Sequence, residues 1–134
     1  MFLTGISLLS CNEKVSERVV KDVAIDIAVK DKEGNDLLNS NNTNAFIQDL
    51  IKLIFEVDGK QNEYYDENLD YRKGFFVYQH ENTHRIRVFP NSNKKESFPI
   101  TYIKWNESNT DTLKCEFERV GSSEICRKVW LNGA

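Results

Sequence analysis

His80-Glu81-Asn82-Thr83-His84 matches the pattern H-E-x-x-H. In zinc metalloproteases two such histidines lie one helical turn apart and bind the metal together. The glutamate between them activates the metal-bound water. That chemistry needs a helix, because only there do positions i and i+4 share a face. Here Phe75-Phe76-Val77-Tyr78 precedes the pattern and Arg85-Ile86-Arg87-Val88-Phe89 follows it. β-Branched and aromatic residues favour strands, and Glu81-Asn82-Thr83 suits a hairpin turn. The chain has two histidines in all, so a third zinc ligand would have to be a carboxylate. The residues favour histidines flanking a turn. A small zinc-dependent hydrolase using His80, Glu81 and His84 is the alternative they leave open.

Other groups carry weaker chemical signals. Asp31, Glu33, Asn35 and Asp36 surround Gly34 as in a calcium loop, but the spacing misses the EF-hand pattern and there is no glutamate at its twelfth position. A plain turn is the expectation. Tyr64, Tyr65, Tyr71, Phe75, Phe76 and Tyr78 form an aromatic-rich stretch. Core packing should claim most of these rings, leaving Tyr64, Tyr65 and Tyr71 as the exposed ones and as a candidate binding surface for sugars or proteins. Lys94-Lys95 and Arg85/Arg87 read as a solvated face. No glycine-rich phosphate loop is present, and the sequence alone pairs no serine or cysteine nucleophile with a histidine. No cofactor is implied.

The three cysteines divide unevenly. Residues 1–10 carry no charge, and the chain turns polar directly after Cys11. An apolar run ending in small residues is the pattern of an export signal. Leu8-Leu9-Ser10-Cys11 resembles a bacterial lipobox. In that family the signal is cut before the cysteine, which becomes the acylated first residue. The resemblance implies that residues 1–10 are the remnant of a signal peptide, that Cys11 is lipidated, and that residues 11–18 are a tether. A buried N-terminal strand with a core cysteine is the alternative. Stable attachment takes more than one acyl chain, and the lipoprotein family places several on the cysteine.

Cys115 and Cys126 remain, an even count for an exported chain. A two-residue turn at Val120-Gly121 places them directly opposite, within disulfide range. A wider turn shifts the register and sends one to the other face. Two buried thiols are the alternative.

The elements that position these residues are strands. Val23, Ile25, Ile27 and Val29 share one parity, with Asp26 and Lys30 on the other, the period of a half-buried strand. Residues 39–44 form an Asn/Ser/Thr loop, because such side chains bond to nearby backbone. Residues 46–57 fit both a helix stripe and a strand. The Asp58-Gly59 pair that follows signals a hairpin, so a strand at 51–57 is expected, with a short helical turn before it. Further strands are read at 61–65, 75–80, 84–89, 98–105, 112–118 and 124–131. Seven or eight strands with closely spaced turns predict an all-β fold. Residues 19–134 should form one antiparallel β-sandwich, immunoglobulin-like in architecture only. An immunoglobulin core has Cys…Trp…Cys order, whereas Trp105 precedes both cysteines and Trp130 follows both.

The chain as a whole is similar to small Bacteroidetes lipoproteins of unknown function. The likeness lies in Leu8–Cys11, the Val-Lys-Asp-Lys-Glu-Gly-Asn-Asp stretch at 29–36 and the Asn-rich β-domain. Asp111-Thr112-Leu113 likewise resembles the three-residue O-glycosylation motif of exported proteins from that group. The resemblance implies a cell-envelope protein, an outer-membrane lipoprotein on either the periplasmic or the surface face. Its expected partners are membrane lipid through Cys11 and an envelope protein or glycan. The net charge of −3 argues against nucleic acid. With no coherent catalytic set, a binding or structural module is the first reading. A periplasmic enzyme inhibitor is a further alternative.

Overall fold

The computed structural model describes residues 5–10 and 21–133. Cys11 and the tether at 11–18 lie outside the described residues. Eight strands build two antiparallel sheets. The smaller contains β3 (Ile25–Lys30), β7 (Thr83–Val88) and β6 (Phe75–His80), in that order. The larger runs β10 (Ser123–Leu131), β9 (Thr110–Val120), β8 (Ile100–Lys104), β4 (Lys52–Val57) and β5 (Lys60–Glu63). Two segments extend the edges. β1 (Gly5–Ser10) runs antiparallel to β3, and the two-residue β2 (Lys21–Asp22) pairs in parallel with β10. Part of the stretch read as a signal remnant therefore lies along the edge of the smaller sheet.

Alternation buries one face of each sheet. From the smaller sheet Ile25, Ile27, Val29, Ile86, Val88 and Phe75 point inward. From the larger come Leu53, Ile103, Leu113, Cys115 and Cys126, and all belong to one apolar cluster. This is the sandwich that the period-two pattern predicts. Leu37, Leu38 and Phe46 plug the core from a loop. That loop is held by its own side chains: Asp36, Asn39 and Asn42 each accept a backbone N–H two residues on. The short helical turn falls at Gln48–Leu50, directly before β4.

Trp105 is fully buried and stacks on Phe46 with centroids 5.3 Å apart. Its indole Nε1–H donates to Asp111 Oδ2 at 2.7 Å, and Asp111 Oδ1 accepts from Asn132 Nδ2 at 2.8 Å. The Asp111 carboxylate is thus engaged within the fold. Thr112 lies on β9, between β8 and β10, where its N–H donates to Asn132 Oδ1.

The hairpin of β9 and β10 departs from the expected register. Val120 pairs with Ser123, so the turn residues are Gly121 and Ser122 rather than Val120 and Gly121. The first position of the turn has φ +60°, which suits glycine and is unfavourable for a β-branched valine. Cys126 consequently faces Phe117, while Cys115 faces Val129 beyond a bulge between Cys126 and Lys128. The two cysteines share the inner face but sit diagonally. Diagonal neighbours have Cα atoms about 7–8 Å apart, too far for a disulfide. The expected Cys115–Cys126 bond is not formed, and both residues are buried in the core.

Candidate binding surface

The H-E-x-x-H residues form a hairpin. β6 ends at His80, β7 begins at Thr83, and Glu81 occupies the turn with φ +56°. His80 pairs with Thr83, and His84 pairs with Gln79. Because side chains alternate along a strand, the two histidines point to opposite faces. His80 is exposed beside Glu81. His84 is half-buried, with its backbone N–H and Nδ1 both on Asp36 Oδ2, at 2.7 and 3.3 Å. The zinc alternative needs both imidazoles on one face, and the hairpin separates them. At the other sequence-predicted cation site, Asp31 accepts the N–H groups of Glu33 and Asn35 and the side-chain amide of Asn35. That bonding, led by the Asn35 side chain, holds its carboxyl below the usual carboxylate value. The segment is a turn closed on itself, with Gly34 at φ +85°.

The outer face of the same hairpin carries a cluster of rings and an arginine. Phe75 and Val77 face the core, so Phe76 and Tyr78 face outward. Ile86 and Val88 face the core, so Arg85 and Arg87 face outward. Phe76 pairs across the strands with Arg87, and Tyr78 with Arg85. On the far side of β7, Asp26 pairs with Arg87. The Arg87 guanidinium binds Asp26 through two bonds, Nε to Oδ1 at 2.7 Å and Nη2 to Oδ2 at 2.9 Å. Its plane also lies over two rings, 5.2 Å from the Tyr78 centroid and 5.7 Å from that of Phe76. The bond to Asp26 raises the Arg87 pKa, so the charge persists at any working pH. Two bonds and two ring faces pin one arginine, and with it the rings that it touches.

More rings complete the row. Tyr71 stacks on Phe76 at 4.3 Å, and Phe89 leans on Phe76 at 6.2 Å. Tyr71 is 48% exposed and Phe89 37%. The loop that presents Tyr71 is tied down: Asp66 N–H donates to Arg72 O, Gly74 N–H to Tyr71 O and Phe89 N–H to Gly74 O. Gly74 has φ +81°, and a Cβ there would lie 2.9 Å from Tyr64 Cδ2. Only glycine lets the loop turn against that ring.

The three tyrosines expected at a binding surface separate accordingly. Tyr65 and Tyr71 are exposed. Tyr64 is a correction: it is half-buried, stacks on Phe55 at 4.6 Å and packs against the core. Its N–H donates to Leu53 O, which carries the β4–β5 pairing one residue further and turns its ring inward. Sequence reasoning assigned Phe76 and Tyr78 to core packing and Arg85 and Arg87 to a solvated face. The outward parity of all four was already present in the alternation of 75–78 and 85–88. A concavity of about 420 Å³ lies under the Asn-rich loop, lined by Ser40, Asn42, Thr43, Phe46, Ile47 and Asp49 among others. Among the described residues no three histidine, cysteine or carboxylate side chains cluster as metal ligands. No helix among them is long and apolar enough to cross a membrane. No protein-family model, curated protein or solved structure matches this chain.

Proposed function

We propose that the chain is a non-catalytic binding module of the cell envelope, tethered to a membrane by lipid on Cys11. It holds a glycan chain against the outer aromatic face of the smaller sheet. The observation that carries this reading is the row Tyr71, Phe76, Phe89 and Tyr78 on the solvent side of the fold, pinned by the Arg87–Asp26 pair. A pyranose ring has an apolar C–H face that stacks on an aromatic ring. Rings already held in place lose little conformational freedom when a ligand arrives. The lipid tether rests on the resemblance of Leu8–Cys11 to a lipobox.

Native electrophoresis through gels cast with soluble polysaccharides tests the binding face. Retardation by at least one polysaccharide is expected, together with its loss in the Tyr71→Ala/Phe89→Ala variant at an unchanged unfolding midpoint. Equal retardation of the variant and the parent would overturn the assignment of this face.

A further inference from the structure

The smaller sheet ends on a strand with an open side. Among the described residues β6 pairs with β7 alone. Their turn is two residues long, so His80 and Thr83 form a hydrogen-bonded pair, and such pairs alternate along the ladder. Phe76, Tyr78 and His80 therefore direct their backbone groups at β7. Phe75, Val77 and Gln79 direct theirs at the open edge. Two neighbouring bonds fix the same phase: Phe89 N–H donates to Gly74 O, and His84 N–H turns away from β6 to Asp36.

An edge strand is a template for further pairing unless it is short, charged, bulged or interrupted by proline. The larger sheet is protected in these ways. β2 has two residues, and β5 has four exposed ones, with Lys60 at one end and Glu63 at the other. In the smaller sheet β1 lies in the stretch read as a signal remnant, and β3 behind it carries Asp26 and Lys30. β6 has none of these devices. Phe75-Phe76-Val77-Tyr78-Gln79-His80 is six residues long, without lysine, arginine, carboxylate or proline, and its register with β7 runs without a bulge.

We propose that β6 is the interface of a two-fold dimer: the same strand of a second copy pairs with it antiparallel about Val77 and joins the two smaller sheets into one. In that register Val77 bonds to its own counterpart and Phe75 exchanges bonds with Gln79, about six backbone hydrogen bonds in all. Phe76 lies opposite Tyr78 at both of the intervening positions, where side chains approach most closely. The occupant is a second copy because the strand complements itself. No like charges are set opposite one another, and ring meets ring on the outer face. The charges nearest the strand in the chain are Lys73 and Glu81. Antiparallel pairing brings the lysine end of one copy to the glutamate end of the other. A patch that maps onto itself closes at two copies and leaves no edge to propagate. The rings of both copies then form one continuous outer face. The pairing itself needs no ligand, so it stands apart from the glycan reading.

Sedimentation equilibrium of the full chain tests the pairing. One six-residue strand per copy makes a small interface, so the dimer should be weak and should appear between about 1 μM and about 1 mM. Gln79 is exposed and its N–H faces the open edge, so it can be changed without touching the core. Gln79→Pro removes that donor, a change that edge strands tolerate. Gln79→Lys keeps the donor and adds the charge that protects natural edges. Each should raise the dimer dissociation constant roughly ten-fold or more at an unchanged unfolding midpoint. Gln61→Pro, on the edge strand β5, is the control and should leave the constant as it is. A monomer throughout the concentration range would overturn the proposal. So would a dimer indifferent to both Gln79 variants, or one equally weakened by Gln61→Pro, because the contact would then lie elsewhere. Growth beyond two copies would overturn the two-fold arrangement.

Discussion

Removing the Asp111 carboxylate should destabilise the fold through one identifiable atom. The Trp105 indole N–H donates to Asp111 at 2.7 Å, and Trp105 has no exposure at all. In Asp111→Ala that donor stays buried with nothing to receive it. A hydrogen bond to a charged group contributes about 1.5–3 kcal/mol, and a stranded buried donor costs a similar amount. These are two descriptions of one loss and are not added. The second partner, Asn132, is exposed and regains water, so it contributes little. The expected cost is about 2–3 kcal/mol, a fall in Tm on the order of 10 °C for a domain of this size. Asp111→Asn keeps one oxygen for the indole and turns an amide toward Asn132, so about 1 kcal/mol is expected. Urea unfolding followed by far-UV circular dichroism reads both, and stays usable when a tryptophan is replaced. The decisive comparison places Asp111→Ala in a Trp105→Phe background, where there is no indole to strand. There the substitution should cost less than about 1 kcal/mol, a coupling of the size expected for residues in direct contact. Equal costs in both backgrounds would refute the indole bond as the source.

Two further outcomes are expected. Gly74→Ala combines a Cβ 2.9 Å from Tyr64 and 3.1 Å from Leu53 with φ +81°, and should cost about 2–4 kcal/mol. Gly121→Ala meets no atom within 4 Å and should cost only the backbone term of about 1–2 kcal/mol. Paired urea midpoints separate the two. For the cysteines, the unfolding midpoint should be indifferent to reductant, and N-ethylmaleimide should label Cys115 and Cys126 in urea but not in the folded protein. An intact mass lower by two hydrogens before reduction would contradict the diagonal register.

Much of the fold was legible because burial on one side imposes a period of two. The strand at 75–80 coincides with β6, and that read at 51–57 with β4 to within one residue. Asp58-Gly59 makes its turn with both residues at positive φ, as the dipeptide demands. The cysteine register failed over one residue. Val120 would have needed a left-handed backbone, and that steric objection was available in the sequence. The bulge after Cys126 had no signal. Tyr64 was misjudged because β5 is exposed throughout, while the next residue turns inward. The Arg87–Asp26 pair spans 61 positions, and no local pattern announces a partner at that distance. The H-E-x-x-H histidines were correctly placed on a hairpin, and their opposite facing follows from the two-residue turn.

The distribution of turns also sets an order in time. β4–β5, β6–β7 and β9–β10 each close through a two-residue turn, and isolated hairpins form in roughly 1–10 μs. Pairing β3 with β7 must instead close a loop of about sixty residues, an entropy cost met before any contact rewards it. Phe76, Tyr78, Arg85 and Arg87 therefore meet early, within one hairpin. Asp26 reaches Arg87 only when β3 docks, on the millisecond-to-second scale typical of sandwiches. Until then the hairpin presents its rings and both arginines without the clamp that orients them. The proposed binding face is therefore complete only once β3 has docked on the hairpin.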